Sequence, residues 1–322
     1  MSQSQFQSNC SAESLQIAAS KVIAGNLVAF PTETVYGLGA DACNADAIAR
    51  IYAVKGRPAD HPLIVHISAM DRMGDWAKEI PTYAIALARD FWPGPMTLIL
   101  PRTELAQDFI TGGQESVGIR VPDHVVARGL LQAFEKLGGK GIAAPSANRF
   151  GQVSPTTAKA VDQEIGEYLD PRDLILDGGA CEVGVESTII DCTGDAPRIL
   201  RPGAITEQMI RISTDISELK NSGNDIRVSG SLENHYAPSA KIFLDVTAQA
   251  GQGLIALADI PTPPGVIRLS APATAQEFAH LLYESLRKAD TDAVAEVVVI
   301  QPKGDGIAVA IRDRLARAAN GR

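Results

Sequence analysis

Cysteine is almost missing from this chain. Among 322 residues there are four, Cys10, Cys43, Cys181 and Cys192, and no two form a CxxC pair. Such scatter argues against a disulfide framework or a thiolate zinc site and fits a reducing compartment. Long apolar runs are missing too: nothing approaches the roughly 20 apolar residues needed to cross a bilayer. The N-terminal MSQSQFQSNC is polar and lacks the basic start and apolar core of a secretory leader. Expectation therefore falls on the cytoplasm, with no membrane association. Positive charge is scarce, the formal net charge being −9, which argues against broad adhesion to nucleic acid and leaves room for a local basic cleft. Neither glycine-rich phosphate signature occurs: there is no GxxxxGK followed by Ser or Thr, and no GxGxxG after a strand. A phosphate site here has to be built from side chains.

What is present is the composition of a globular α/β protein, 45% hydrophobic and 21% charged. The length favours two domains. Ser11 is placed to cap a helix whose apolar residues Leu15, Ala18, Ala19, Val22 and Ile23 follow at helical spacing, with Gly25 closing it. The run LVAF then reads as a buried strand, followed by a helix over Ala45 to Tyr52 and the strand PLIVHI at 62–67. Further on, MTLILP, SVGIRVP, GIAAP, DLILDGG and STIIDCT read as strands, and helices are expected near Tyr83–Asp90, Val125–Leu137 and Thr206–Ile212. Several strands follow one another directly, so a mixed sheet is expected rather than a regular doubly wound one. Residues 213–239 are polar and read as a linker. Beyond them KIFLDV, GLIALAD, GVIRLS and AEVVVIQ alternate with helices over Ala275–Lys288 and Ile307–Ala319, an open α/β unit. The expected organisation is therefore 1–212, a linker over 213–239, and a small α/β unit over 240–322.

Three motifs carry the chemistry: PTETVYGLG at 31–39, KGRP at 55–58 and SAN at 146–148. Pro58 biases the residue before it towards extended backbone. In extended backbone, positions two apart share a side, which predicts that Lys55 and Arg57 point the same way. Ser146 and Asn148 repeat the spacing with neutral hydrogen-bonding groups. Two cations and two small polar groups suit a polyanion such as a nucleoside triphosphate. Arg120 lies in the apolar run VGIRVP and has to find an anion or reach outward. His66 fits either a half-buried structural histidine or a ligand contact, and Glu186, Ser187 and Thr188 fit either a loop cap or a site.

Taken together, PTETVYGLG, KGRPADHPLIVHI, WPGPMTLIL, SVGIRVP, APSANRFGQVSPT, GVESTIID and RPGAIT resemble the YrdC-type threonylcarbamoyl-AMP synthases. The stretch SLENHYAP and the terminal α/β unit resemble the two-domain long form of that family. The resemblance implies a YrdC-like mixed twisted sheet with helices, joined to a small Rossmann-like unit. It implies an L-threonylcarbamoyladenylate synthase, joining L-threonine, bicarbonate and ATP into threonylcarbamoyl-AMP and pyrophosphate, with Mg²⁺ accompanying ATP. The product would feed the tRNA threonylcarbamoyl transferase machinery, with a weak tRNA contact possible. The family's KxR and SxN pairs fall on Lys55, Arg57, Ser146 and Asn148 as catalytic residues. Thr32, His66, Arg120 and Ser187 match threonine-contacting positions. Arg57, Ser146, Ser154, Arg201 and Tyr236 match nucleotide-holding ones, as does His61, where the family often carries asparagine or lysine. The linker, with His235 and Tyr236, is expected to fold over the first domain as a lid. Two other classes compete. One is a non-catalytic RNA-binding module of the same fold, which the negative charge disfavours. The other is a carbamoyl-transfer domain of the hydrogenase-maturation type, whose accompanying zinc-finger regions have no CxxC counterpart here.

Overall fold

The computed structural model describes residues 6–7, 10–220, 226–230 and 236–320. His235 falls outside them. Strands β1 (Phe6–Gln7), β2 (Val28–Phe30), β3 (Gly37–Asp41), β4 (Ile64–His66), β5 (Met96–Pro101), β6 (Ser116–Arg120), β7 (Ile142–Ala143), β8 (Leu174–Leu176), β9 (Thr188–Asp191) and β10 (Arg198–Arg201) form one sheet. Its order is β1-β8-β2-β3-β7-β4-β6-β5-β9-β10. Parallel pairs such as β4·β6 and β5·β9 sit beside antiparallel ones such as β2·β3 and β5·β6. The sheet is mixed, as the directly successive strands required.

Period-two alternation sorts side chains between two faces. Leu98, Leu100, Val65, Ile119 and Ile190 point into the main core with the helices Ala45–Lys55 and Thr82–Phe91. The opposite face is covered in two pieces. Over β2, β7 and β8 lie helices Ala12–Ile23 and Val125–Lys136, burying Val28, Phe30, Ile142 and Leu176. Over β5 and β9 lies the segment at 226–229, whose Ile226 and Val228 pack on Ile99, Ile189 and Ile64. Between these coverings the face is open, and His66 and Arg120, paired in register on β4 and β6, project there with Ile64.

The second unit holds β11 (Lys241–Leu244), β12 (Gly253–Ile255), β13 (Ile267–Ser270) and β14 (Glu296–Val299), all parallel in the order β11-β14-β12-β13. Helices Ala275–Thr291 and Ile307–Ala319 cover one face through Phe278, Leu282, Ile311 and Leu315 against Ile242, Leu269 and Val297. The other face buries only Ala248, Leu254, Ala256 and Val298 beneath loops carrying Ile260 and Val266. The strands are shorter than the runs GLIALAD and AEVVVIQ suggested, because the flanking residues of each run pack as loops. No helix among the described residues is long and apolar enough to cross a membrane.

One expectation fails in an instructive way. The helix after Asn44 runs to Lys55 rather than stopping at Tyr52. Gly56 then adopts the left-handed conformation (φ 61°), and the Arg57 amide donates to the Tyr52 carbonyl. Only glycine takes that conformation without cost, so it ends the helix and reverses the chain. Lys55 and Arg57 are thus not an extended pair, and their side chains diverge. Strand β10, RILR, is an addition to the elements expected from sequence; it lies at the edge of the sheet and pairs antiparallel with β9.

The two units share a hydrophobic layer in which Val35, Val153 and Val185 of the first meet Phe278, Ala279 and Tyr283 of the second. The backbones come close at Gly184 (φ +79°), where an added Cβ would stand 2.4 Å from the Ala279 carbonyl oxygen. Gly184→Ala combines a left-handed strain with overpacking against helix backbone, and a loss of about 1–3 kcal/mol is expected. Denaturant melts would measure it; a variant as stable as the parent would show that this approach is not a packing constraint.

Candidate active site at the open face of the sheet

The gap between the two coverings is a cavity lined by Thr32, Thr34, Val35, Gly37, Ile64, His66, Arg120, Ala144, Pro145, Ser146, Glu186, Ser187, Arg201, Ser229 and Tyr236. Its walls are loops that leave strand ends. After β2, the turn at 32–35 is organised by the Thr32 hydroxyl, which donates to the Val35 carbonyl at 2.7 Å and accepts from the amides of Thr34 and Val35. Such a self-bonded threonine turn fixes the backbone without a helix or ladder. Glu33, in the same turn, meets Arg120 at 2.6 Å and accepts from the Asp123 amide. The anion that Arg120 required is therefore internal. Its Nε remains without a partner among the described residues.

His66 lies beside Arg120, edge-on to Phe30 with ring centroids 6.1 Å apart. Burial, reinforced by the Arg120 charge, holds its pKa down at about 3. At neutral pH it is an uncharged imidazole, able to hydrogen-bond without adding charge.

Lys55, Arg57 and Arg201 are buried, at 2%, 6% and 3% exposure. Among the described residues none of the three has a carboxylate within ion-pair distance; their partners are neutral oxygens. Lys55 Nζ donates to the carbonyls of Ser146 and Asn148 at 2.5 and 2.6 Å. Arg57 donates to the Pro62 carbonyl at 2.9 Å and to the Ser229 hydroxyl at 3.3 Å. Arg201 donates to the Ser187 carbonyl and hydroxyl, both at 3.1 Å, and to the Ser229 carbonyl at 2.8 Å. Burial and the neighbouring Arg57 push the Lys55 pKa well below the usual amine range, and burial brings Arg57 down to about 10. Glu164 acts on Lys55 only at a distance, its own partner being Arg287 at 3.7 Å. Unbalanced buried cations are costly until an anion joins them.

The sequence-predicted residues are thus distributed unevenly. Thr32, His66, Arg120, Ser146, Ser187, Arg201 and Tyr236 line the cavity. Lys55 lies behind the wall, under the 146–148 backbone, and Asn148 bonds its own loop through the carbonyls of Arg149 and Gln152. Arg57 reaches the cavity rim through Ser229. Ser154 is fully buried and donates to Glu186 at 2.6 Å. His61 is half-buried against Phe150, outside the lining. Tyr236 is buried, with its ring stacked 5.7 Å from Tyr283.

Four contributors escaped sequence reading, Glu33, Ser229, Tyr283 and Arg314, the last two meeting at Glu186. Glu186 accepts from Ser154, from the Tyr283 hydroxyl at 2.8 Å and from Arg314 Nε at 2.8 Å. A signal for Arg314 existed, because it occupies an apolar-face position with Ile311, Leu315 and Ala318 in the last helix. A charged residue at that spacing needs a buried partner. Among the described residues no group of three or more His, Cys, Asp or Glu is arranged to hold a metal ion.

Two family models match the chain. One, for the Sua5, YciO and YrdC proteins and described as telomere recombination, covers residues 21–203; the other, described as threonylcarbamoyl-AMP synthase, C-terminal domain, covers residues 205–320. The chain is 38% identical over 327 residues to the threonylcarbamoyl-AMP synthase of Pyrococcus abyssi, spanning 95% of this chain and 94% of that one. It is 37% identical to the Bacillus subtilis protein of the same name, spanning 95% and 92%. The fold matches the crystal structure of P. abyssi Sua5 complexed with L-threonine with a TM-score of 0.87 at 35% identity, covering 99% of this chain and 97% of the other.

The Glu186 cluster has a pH signature. Burial pushes its carboxyl up, but Arg314, Arg201 and the Ser154 hydroxyl outweigh it and hold the pKa at about 2. Because the unfolded chain takes up this proton first, the stabilisation is complete above about pH 4.5 and lost as pH falls through about 2, on the order of 3 kcal/mol in all. Between pH 6 and pH 3 the parent should lose roughly 2 kcal/mol more than Glu186→Gln in urea melts. Parallel pH profiles for the two proteins would remove the ion pair from the stability account.

Proposed function

From the premise that the chain belongs to the Sua5–YciO–YrdC family, we propose that its cavity joins L-threonine, bicarbonate and ATP into threonylcarbamoyl-AMP and pyrophosphate. The observation that carries this reading is the trio Lys55, Arg57 and Arg201, buried around one cavity with only neutral oxygens as partners. A polyanion completes such a set, and a triphosphate does so where charge must migrate during reaction.

In this reading the threonine amine condenses with bicarbonate, losing water, to an N-carboxylate; one of its oxygens bonds to the α-phosphorus as the bond from that phosphorus to the bridging β-phosphate oxygen breaks, and pyrophosphate leaves. Catalysis then rests on alignment and fixed positive charge rather than on a protein nucleophile. Thr32, His66, Arg120 and Ser187 receive threonine. Arg120 gives one arm to Glu33, so the substrate carboxylate meets the remaining guanidinium edge rather than a full fork. The neutral His66 ring hydrogen-bonds without adding charge. Arg57, His61, Ser146, Ser154, Arg201 and Tyr236 hold the nucleotide, which arrives as its Mg²⁺ complex. Lys55 serves twice: its ammonium pins the Ser146–Asn148 backbone and places positive charge behind the phosphates, while Asn148 keeps that loop in shape.

Residues 1–212 are the catalytic unit, 213–239 the covering linker and 240–322 an attached α/β unit. The product is a mixed anhydride that water destroys, so a covered site is chemically useful. Ser229 and Tyr236 put linker residues in the cavity wall. The product is passed to the cytoplasmic machinery that transfers threonylcarbamoyl to tRNA, with at most a weak contact to tRNA by this chain itself.

Pyrophosphate release from ATP should require both threonine and bicarbonate. Lys55→Met and Arg57→Ala should each lower kcat/KM by about 100-fold or more if their charge is used in the transition state. Release that is indifferent to threonine, or turnover unchanged in both variants, would overturn the proposal.

A further inference from the structure

A carboxylate in the wall of a cavity that accepts a polyanion is a liability, because like charges repel strongly where water is excluded. Glu186 is such a wall residue. Its two oxygens accept three hydrogen bonds, of which only that from Ser154 originates in the first unit. The other two, from Tyr283 and Arg314, cross from helices Ala275–Thr291 and Ile307–Ala319 of the second. Arg314 is fully buried in its side chain. It also donates to the Pro202 carbonyl at 2.9 Å, and its guanidinium lies 5.5 Å from the Tyr236 ring centroid. Its second carboxylate, Asp313, is shared with Arg317. Two of the three hydrogen-bond donors to Glu186, and its ion-pair partner among the described residues, thus come from the second unit.

We infer that Arg314 is a positioning residue for the nucleotide site: it cancels the charge of Glu186 and thereby leaves Arg201 free for the anion. This rests on the reading of the cavity as an ATP site. Arg201 is one residue from the Pro202 carbonyl that Arg314 holds, and it bonds Ser187 and Ser229 rather than Glu186. Without Arg314, Glu186 has Arg201 as its nearest remaining cation. An Arg201 drawn to Glu186 is withdrawn from phosphate. The second unit is then a required part of the anion cavity, supplying a charge that the first unit lacks.

The test is Mg·ATP affinity by titration calorimetry, without threonine or bicarbonate, on the full chain. Arg314→Met should bind at least about tenfold more weakly, with the KM for ATP rising while kcat falls by less. Adding Glu186→Gln to Arg314→Met removes the stranded carboxylate and should recover most of that affinity, and Arg314→Lys, which keeps the charge, should lose little. A merely structural arginine would not be rescued by a second loss at Glu186. A folded Arg314→Met protein with unchanged ATP affinity, or a double variant as weak as the single, would overturn the inference while leaving the proposed function standing. Should Arg314→Met fail to fold, the uncharged double variant decides: recovered binding supports the inference and absent binding ends it. A parent chain without any ATP affinity would overturn both.

Discussion

Buried positive charge with no carboxylate at ion-pair distance among the described residues is the constraint around which the first unit is arranged. Each of Lys55, Arg57 and Arg201 is stabilised by carbonyl and hydroxyl dipoles instead of carboxylates. Dipoles offset part of the cost of removing a cation from water, and the remainder is available to an incoming anion. Had the chain supplied carboxylates to these three, the cavity would be electrostatically finished and would have no use for phosphate. The carboxylates nearest these cations already have their own arginines: Glu186, in the wall, pairs with Arg314, and Glu33 pairs with the wall residue Arg120. Neutral pairs thus shape the cavity, while the cations in and behind its wall that lack a carboxylate among the described residues give it an affinity.

Those cations stay in place because the backbone around them has little freedom. Lys55 ends a helix whose stop is enforced by Gly56, and its ammonium ties together two carbonyls of the loop after β7. The same loop is stitched to β3 through the Leu38 amide to the Pro145 carbonyl and the Ala147 amide to the Tyr36 carbonyl. Ser146 is therefore presented to the cavity by hydrogen bonds on both sides of it. A side chain placed by its backbone loses little entropy when a ligand binds, which is the physical content of preorganisation.

Much of this was legible in the sequence. The runs PLIVHI and SVGIRVP read as strands carrying His66 and Arg120, and the parallel register of the two strands sets these residues side by side. The cap at Ser11 marked a helix start, its side chain accepting the Ser14 amide. What escaped was whatever depended on contacts between distant segments. The pairing of Glu33 with Arg120 joins residues 87 positions apart, and local pattern does not specify it. The reading of Lys55 and Arg57 as an extended pair failed because Pro58 restricts only its immediate predecessor, while Gly56 decided the helix end. Strand β10 escapes because RILR sets two apolar residues side by side between two arginines and so lacks the alternation that identifies a strand.

The second unit shows why a long-range contact can matter more than a local one. By itself its parallel sheet buries one face under two helices and the other under short loops. Its helices also turn Tyr283, Arg287 and Arg314 towards the first unit, and none of these contacts is a surface ion pair of negligible worth. Arg287 donates to the carbonyls of Val153 and Ser154, and the fully buried Arg314 and Tyr283 hold Glu186. Separating the units would take Arg314 and Tyr283 from Glu186 and the Val153 and Ser154 carbonyls from Arg287, and the loss of one member of a buried set costs more than the set contributes when intact. The units are consequently coupled through the cavity itself: a change that loosens their interface alters the electrostatics experienced by an anion before it alters the fold of either sheet.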